Sequence, residues 1–300
     1  MPWLHFRLQC LITRKSSRLG LNFNRGGVPL LQSTIVERRE LVSGTRKVLT
    51  QLVGIIAEHF GGRGVVSTVC SMRGYSDKRM ADLLMTKGIV QMPSLSDIQI
   101  LAKARGLNLT PQMLRATGLI GENGDYWLQD RFAIPLRTYG GDVIALVCWY
   151  PDKRKYITTR TLGFSSTTTF FNQESYTKSR LNNSDKTVAF VVEGIFDALS
   201  VESLGYCCFG NEGLALSPVK KEMLSRFDEV FFIPDNDNPG RKSNKFLCRQ
   251  SSHLWDTPNG KIIQLRGTKV KDMDDYVKLY APETLDAWIT ANQFLRIDLD

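Results

Sequence analysis

Three acidic residues follow two apolar segments in the second half of the chain, and their type and spacing suit metal chemistry. Glu193 comes directly after the apolar segment 187–192, and Asp235 and Asp237 follow the apolar segment 229–233. We expect both segments to be strands of one parallel sheet, in which active sites lie beyond the carboxyl ends of the strands. Carboxylate oxygens without paired His or Cys favour Mg²⁺ or Mn²⁺ over zinc. The sequence therefore predicts a divalent-metal site at this edge of the sheet.

Further acids accompany these three. Asp197 lies one helical turn after Glu193, and the segment 271–276, Lys-Asp-Met-Asp-Asp-Tyr, follows the last predicted strand. An acid at a strand end often only caps the next helix or forms a turn, so one such residue would carry little information. Two acids at positions i and i+2 of one loop, however, can both reach a single hard cation. The segment 271–276 is a candidate source of acids for a second metal or for contacts around the first.

The elements that must position these acids follow from the apolar pattern. Helical spacing in the first half predicts helices over residues 40–60, 77–87, 96–104 (with Ser96 as N-cap) and 110–118. The glycine-rich segment 61–64 is expected to be a turn and not a phosphate-binding loop, because no Gly-Lys-Ser/Thr follows it. Two strands, 131–137 and 143–150, are expected to form a hairpin.

From residue 187 onward strands and helices alternate, which is typical of a parallel sheet flanked by helices. The predicted strands are 187–192, 207–209, 229–233 and 262–265, and the predicted helices are 196–204, 217–226, 240–250 and 283–292. The chain is therefore expected to have three regions. Residues 1–45 form a basic, flexible leader, residues 46–184 a mixed α+β subdomain, and residues 185–300 an α/β domain with a Rossmann-like parallel sheet.

Charge and composition narrow the class of protein. The formal net charge is +9, and residues 1–50 contain nine Lys or Arg and only two acids, so most of the excess is near the amino terminus. This distribution fits a nucleic-acid partner. A second basic group consists of Lys153, Arg154, Lys155 and Arg160, with the aromatic Tyr156 among them. It either binds a phosphate backbone or is a solvated loop. No apolar run approaches the roughly 18 residues that a membrane helix needs, so no membrane partner is expected.

The cysteines do not form a metal-binding or disulfide pattern. There are six cysteines and three histidines, with no Cys-x-x-Cys pair among them. A structural zinc site needs four convergent ligands, usually in closely spaced pairs. No zinc is therefore expected, and the cysteines are expected to be reduced, as in a cytoplasmic protein.

Taken together, the motifs resemble the TOPRIM domain that bacterial-type DNA primases share with type IA and II topoisomerases and some nucleases. Its hallmark is a Glu-Gly at one strand end and an Asp-x-Asp at another, here Glu193-Gly194 and Asp235-Asn236-Asp237. The segment 193–199 looks like the primase version. The segment 271–276 is similar to the Lys-Asp-Pro-Asp-Glu segment that closes primase catalytic cores, with Met273 in place of proline. Upstream, residues 104–120 and 131–137 are similar to the stretch that separates primases from topoisomerases.

The resemblance, to the catalytic core of the DnaG-like bacterial and phage primases, implies both a fold and a reaction. The fold is a TOPRIM domain preceded by a mixed α+β primase-type subdomain. The reaction is the joining of NTPs into short RNA primers on single-stranded DNA during replication, by Mg²⁺- or Mn²⁺-dependent two-metal nucleotidyl transfer. The catalytic acids would be Glu193, Asp235 and Asp237. The metal ligands would be these three together with Asp197, Asp272 and Asp274.

Basic residues are the candidates for template or nucleotide phosphates. Two of them begin the predicted helix after Asp237, where unpaired N–H groups favour phosphate. The full set is Arg105, Arg137, Lys153, Arg154, Lys155, Arg160, Arg241 and Lys242.

The chain departs from the family pattern at both ends. It has no cysteine pairs for the zinc ribbon that primases usually carry, and about twenty residues follow Tyr280, too few for a helicase module. A separate replicative helicase is therefore an expected partner, and a separate template-recognition protein is a further candidate. The expected location is the cytoplasm of a bacterial or phage-infected cell, with organelle targeting by the basic leader as the alternative.

Two other functions stay open. A metal-dependent nuclease would use the same acids, and a replication accessory protein would bind DNA without catalysis. A topoisomerase is less suited, because it needs a nucleophilic tyrosine on a further domain.

Overall fold

The computed structural model describes residues 29–150, 156–178, 187–211, 216–235, 260–262 and 270–280, with side chains in these ranges except at 29–37 and 260–262. The chain divides into two compact units, residues 1–43 and residues 44–300, and the second contains both described sheets. In the described ranges no helix combines the length and the apolar character needed to cross a bilayer.

Within residues 29–131, which the structure describes, five helices precede the first long strand. They are α1 (Pro29–Phe60), α2 (Arg63–Arg73), α3 (Lys78–Lys87), α4 (Leu95–Ala104) and α5 (Pro111–Ala116). Their ends follow local chemistry. Gly74 ends α2 in the left-handed region with φ 74°, which glycine adopts without a Cβ penalty. The side chain of Asp77 then begins α3 by accepting a hydrogen bond from the N–H of Arg79.

The first sheet is antiparallel and has the order β1 (Val90–Gln91), β2 (Phe132–Arg137), β3 (Val143–Trp149) and β4 (Tyr156–Thr158). Strands β2 and β3 are buried along almost their whole length because apolar residues cover both faces of the sheet. Alternate residues of β2 therefore enter different cores: Ile134 belongs to one apolar cluster and Ala133 to another.

The second sheet is parallel, with the order β6 (Cys208–Gly210), β5 (Val188–Val192), β7 (Glu229–Ile233) and β8 (Gly260–Ile262). Helices α6 (Ile195–Ser203), α7 (Pro218–Leu224) and α8 (Met273–Leu279) accompany it, and a 3₁₀ helix (Gln173–Lys178) precedes it. Strands β5 and β7 are neighbours with their carboxyl ends at the same edge. The residues that follow these two strands are therefore brought side by side.

One apolar cluster, here called the shared core, joins the two sheets. It includes Ile134 and Val147 of the antiparallel sheet, Phe190 of β5, Leu199 of α6 and Tyr276 of α8. The same side of both sheets thus packs into one continuous interior.

The predicted α/β class, with a parallel sheet flanked by helices and a mixed subdomain before it, is confirmed. Several boundaries differ. Helix α1 begins at Pro29 and not at residue 40, so part of the predicted leader is helical. Helix α2 was not predicted, because the preceding glycines indicated only a turn. Helix α4 begins after Ser94, whose hydroxyl accepts from the N–H of Asp97, so the prediction of Ser96 as N-cap was wrong.

Other differences concern the second half. Helix α8, which was not predicted, occupies most of the acidic segment 271–276, since Asp272 caps it by accepting from the N–H of Asp275. The last strand is described over Gly260–Ile262. Residues 263–269 and the predicted helices 240–250 and 283–292 lie outside the described residues.

Candidate metal centre

Two predicted acids meet at the carboxyl edge of the parallel sheet. Glu193 follows β5, and Asp235 follows β7 after Pro234. The backbone N–H of Asp235 donates to Oε1 of Glu193 at 3.3 Å. The sheet therefore brings the ends of its two neighbouring strands into direct contact, as the sequence predicted.

Asp197 lies next to this pair in the first turn of α6. Its side chain is buried, and Oδ1 accepts a hydrogen bond from the N–H of Asp274 at 2.9 Å. A Cβ at position 194 would lie 2.1 Å from Oδ2 of Asp197. Glycine at 194 thus leaves the space that the Asp197 carboxylate occupies, so any larger residue would displace that carboxylate.

The electrostatics around Asp197 oppose its negative charge. Burial raises the pKa of Asp197 to about 7, and the nearby carboxylates of Asp272, Asp235 and Asp274 add to the rise, while the hydrogen bond from the Asp274 N–H acts in the opposite direction. Several carboxylates therefore surround Asp197 and oppose its negative charge. An added cation would relieve this repulsion.

Asp272 completes the described part of the acidic edge. It begins α8, and Lys271 extends its ammonium group between two carboxylates, 3.4 Å from Oδ2 of Asp272 and 3.7 Å from Oδ2 of Asp235. The side chain of Lys271 is 54% exposed. A positive charge is therefore accommodated between the end of β7 and the start of α8.

Asp274 has different surroundings from the other predicted ligands. Its Oδ2 accepts from Arg73 Nη2 at 2.5 Å and Lys278 Nζ at 2.6 Å, and its Oδ1 accepts from Tyr75 at 2.6 Å and Ser200 at 2.7 Å. The two cations and the hydrogen bonds hold the pKa of Asp274 below its usual value although burial would raise it. These four donors oppose the prediction that Asp274 is a metal ligand, because both oxygens are already engaged.

The predicted ligand set is only partly described. Among the described residues, no three side chains of the His, Cys, Asp and Glu types converge closely enough to hold one ion. Asp237 lies outside the described residues, so its predicted role stays a prediction. Five members of the predicted set are described, and of these Glu193, Asp197, Asp235 and Asp272 line the edge from β5 to α8.

The predicted phosphate-binding residues are not gathered at this edge in the described ranges. Arg105 donates to Glu58 at 2.6 Å on the exposed surface where α4 ends near α1. Arg137 donates to the carbonyl of Gly141 within the β2–β3 turn, and Arg160 is exposed after β4. Their nucleic-acid roles stay predictions. Lys153, Arg154, Lys155, Arg241 and Lys242 lie outside the described residues.

Sequence reasoning missed the residues that surround Asp274. Lys278 had a signal, because an acid and a base at positions i and i+4 face each other on a helix. Arg73, Tyr75 and Ser200 had none, because they come from distant elements and only the packing of α2, α6 and α8 brings them together.

Part of the chain matches a family model. Residues 190–277 match the family described as Toprim-like, a segment that contains Glu193 and Asp235 as well as Asp272. No curated protein sequence matches this chain.

Solved primase structures match a larger part of the chain. The Escherichia coli primase catalytic core is 19% identical, covers 82% of this chain with 79% of its own, and has a TM-score of 0.62. A DNA primase domain from Pseudomonas aeruginosa is 22% identical, with 81% and 78% coverage and a TM-score of 0.62. A DnaG primase catalytic domain bound to ssDNA is 19% identical, with 83% and 82% coverage and a TM-score of 0.63. The chain has the fold of a primase catalytic core.

Proposed function

We propose that this chain, a Toprim-like domain within the fold of a primase catalytic core, is a DNA primase that makes short RNA primers on single-stranded DNA. One observation carries the proposal. The structural similarity covers more than four-fifths of the chain and so extends from the Toprim-like segment 190–277 into the upstream subdomain. A similarity limited to the Toprim-like segment would favour a metal-dependent nuclease as much as a primase.

The acidic edge fits a hard divalent cation. The described side chains offer only carboxylate oxygens, which Mg²⁺ and Mn²⁺ prefer. The mutual repulsion around Asp197 and the ammonium of Lys271 between Asp235 and Asp272 both indicate that positive charge is favoured there. We infer that cation binding draws on Glu193, Asp197, Asp235 and Asp272 and also needs Asp237, because the described acids alone do not converge on one ion. Bound there, the cation would neutralise triphosphate charge and help to align the reacting groups.

The chain's own contribution is to position these groups. In the proposed reaction the primer 3′-oxygen bonds to the α-phosphorus of the incoming NTP, pyrophosphate leaves, and the hydroxyl proton passes to a carboxylate or to water. The parallel sheet fixes Glu193 and Asp235 on neighbouring strands, and α6 and α8 add acids from one side. Such fixed placement of charge supplies much of the rate in phosphoryl transfer.

The proposed partners follow from the proposed primase activity. They are a single-stranded DNA template, NTPs, a separate replicative helicase and a separate template-recognition protein, in the cytoplasm. Arg105, Arg137 and Arg160 remain the described candidates for phosphate contacts.

The test is primer synthesis by the purified chain. It is incubated with single-stranded DNA, labelled NTPs and Mg²⁺ or Mn²⁺, with and without a replicative helicase from the same source. We expect short RNA products that fall by about 100-fold or more in Asp235→Ala, because a carboxylate of the site is lost. The matched control is Asp82→Ala, which removes an exposed acid on α3 and should retain full synthesis.

Three outcomes distinguish the functions. RNA synthesis that depends on Asp235 and not on Asp82 supports a primase. Degradation of the DNA without synthesis identifies a nuclease, and DNA binding without either reaction, in both helicase conditions, identifies an accessory protein.

A further inference from the structure

We propose that Arg73 is a positioning residue for the metal centre, acting through Asp274 to hold the start of α8 against α6. This inference rests on the proposed function, because it gives Arg73 a purpose in the placement of the predicted metal ligands. Arg73 belongs to α2, far from the acids in sequence, and no motif of the Toprim-like segment includes it.

The contacts of Arg73 tie three parts of the molecule together. Its Nη2 donates to Asp274 of α8 at 2.5 Å, and its Nη1 donates to the hydroxyl of Tyr156 in β4 at 3.3 Å. Its guanidinium carbon lies 4.2 Å from the ring centroid of Phe196 in α6, an attractive cation–π distance. The fork of an arginine can make these contacts simultaneously, which a lysine cannot.

Tyr75 and Lys278 also hold the Asp274 carboxylate in place. The hydroxyl of Tyr75 donates to Oδ1 of Asp274, and the ammonium of Lys278 lies 4.7 Å from the centroid of the Tyr75 ring while it pairs with Oδ2. With the hydroxyl of Ser200, four donors saturate one buried carboxylate. The side chain of Asp274 therefore has a single well-defined position.

That position is transmitted to the acidic edge through the backbone. The N–H of Asp274 donates to Oδ1 of Asp197, so the side chain of Asp274 faces the Arg73 contacts and its main chain faces the site. Ser200 lies three residues after Asp197 on α6 and contacts the same Asp274. Asp272 stands two residues earlier, at the cap of α8. A shift of Asp274 would therefore move two predicted metal ligands together.

The charge of Arg73 also matters to this arrangement. The side chain of Asp274 is only 4% exposed and that of Arg73 26%, so the pair is poorly screened by water. Removing the guanidinium would leave the Asp274 carboxylate with Lys278 as its one described cationic partner. We expect α8 to relax toward solvent, which would turn the Asp274 N–H away from Asp197. In metal sites, loss of such outer contacts typically costs about 10- to 100-fold in affinity.

The experiment measures metal affinity directly, with Mn²⁺ as the probe. Electron paramagnetic resonance of free Mn²⁺ is titrated against the purified full chain, at a temperature where circular dichroism shows every variant folded. For Arg73→Gln we expect the Kd to rise about 10-fold. For Tyr75→Phe, which removes one hydroxyl and keeps the ring, we expect a rise of about threefold. Arg73→Lys should recover part of the loss, because it restores the positive charge.

Arg79→Gln is the matched control. Arg79 pairs with Asp77 at 2.5 Å on the neighbouring helix α3 and its side chain is 46% exposed, so the same substitution there should leave the Kd unchanged. Native Kd values in both Arg73→Gln and Tyr75→Phe would overturn the proposal and leave Arg73 a purely structural residue. If Arg73→Gln does not fold, Tyr75→Phe decides alone.

Primer synthesis is not part of this measurement. A native chain that binds Mn²⁺ and makes no primers overturns the proposed function, while the effect of Arg73 on Mn²⁺ is still measured. A native chain that binds no Mn²⁺ overturns the metal centre and the positioning role with it.

Discussion

Two neighbouring acids, Asp197 and Asp274, have opposite electrostatic surroundings, although the backbone N–H of Asp274 donates a hydrogen bond to the Asp197 carboxylate. Asp197 is buried among other acids, and its pKa is raised to about 7. Asp274 is equally buried, but Arg73 and Lys278 hold its pKa below the ordinary value. Burial alone therefore does not decide the charge of an acid. The charged and hydrogen-bonding groups that the fold places around the acid decide it.

The difference separates two roles within one acidic cluster. The negative charge of Asp274 is already compensated by two side chains of the protein, Arg73 and Lys278. Asp197 has less compensation, and a cation from solution would supply it. The predicted ligand set, which contains both residues, thus combines a structural ion pair with a candidate ligand.

The largest effect is expected from removing the charge of the compensated acid. Asp274→Asn keeps the shape of the side chain but leaves Arg73 and Lys278 without their buried counter-ion, which should lower the free energy of unfolding by about 3–5 kcal/mol. Urea unfolding followed by circular dichroism measures it. Asp82→Asn, at an exposed pair on α3, should change stability by less than about 0.5 kcal/mol. Equal losses of stability in the two variants would contradict the prediction that the buried Asp274 matters more than the exposed Asp82.

A smaller effect of opposite sign is expected at Asp197. Because its folded-state pKa is raised to about 7, the native state keeps a proton that the unfolded chain, with an ordinary pKa, loses near pH 4. Stability therefore falls as pH rises from about 4 to 7, and the whole penalty is present above pH 7. Asp197→Asn removes the penalty, so the variant should be more stable than the native chain at pH 8 by up to about 4 kcal/mol, and equally stable at pH 4.

Urea unfolding at the two pH values, with and without Mn²⁺, tests this prediction. Saturating Mn²⁺ should stabilise the native chain more than the variant and so reduce the difference at pH 8. A native chain whose stability does not change between pH 4 and 8 relative to the variant would contradict the assignment of an under-compensated acid.

The smallest effects concern two lysines with matched geometry. Lys278 pairs with Asp274 and Lys78 with Asp82, both at positions i and i+4 and both at 2.6 Å, but the first pair is mostly buried and the second exposed. Lys278→Met should cost about 1–2 kcal/mol, because a buried carboxylate loses one of its cations. Lys78→Met should cost about 0.5 kcal/mol or less, since exposed pairs are weak. Thermal or urea unfolding compares them, and a larger loss at Lys78 would show that burial is not what matters.

Much of the fold could be predicted from the sequence, because the evidence for it is local. Apolar segments such as 229–233 and the alternation after residue 187 indicate strands and helices without knowledge of their neighbours, and both sheets were anticipated in class. The pairing of Glu193 with Asp235 was also predictable, since parallel strands end at the same edge. The cap of α4 was assigned wrongly because Ser94 and Ser96 are both suitable residues, and only their positions in the folded chain separate them.

The environment of each acid was not predictable. Asp272 and Asp274 are two residues apart and of the same type, so the sequence gives no reason to distinguish them. The distinction comes from Arg73, Tyr75 and Ser200, which contact Asp274. Arg73 and Tyr75 lie about 200 positions before Asp274 in the chain, and Ser200 lies 74 positions before it. Such contacts depend on how α2 and α6 pack against α8, and residue type and local spacing do not specify that packing.

The shared core has a consequence for how the chain folds. Residues from the antiparallel sheet, the parallel sheet and helices α2, α6 and α8 fill one interior, with Val69 and Leu199 among them. Neither sheet can lose its order without exposing the apolar side of the other. Cooperativity is therefore expected to extend across the predicted boundary at residues 184–185, so that both sheets exchange their slowest amide hydrogens with one common free energy. The two halves are distinct in sequence pattern, but we expect them to unfold together.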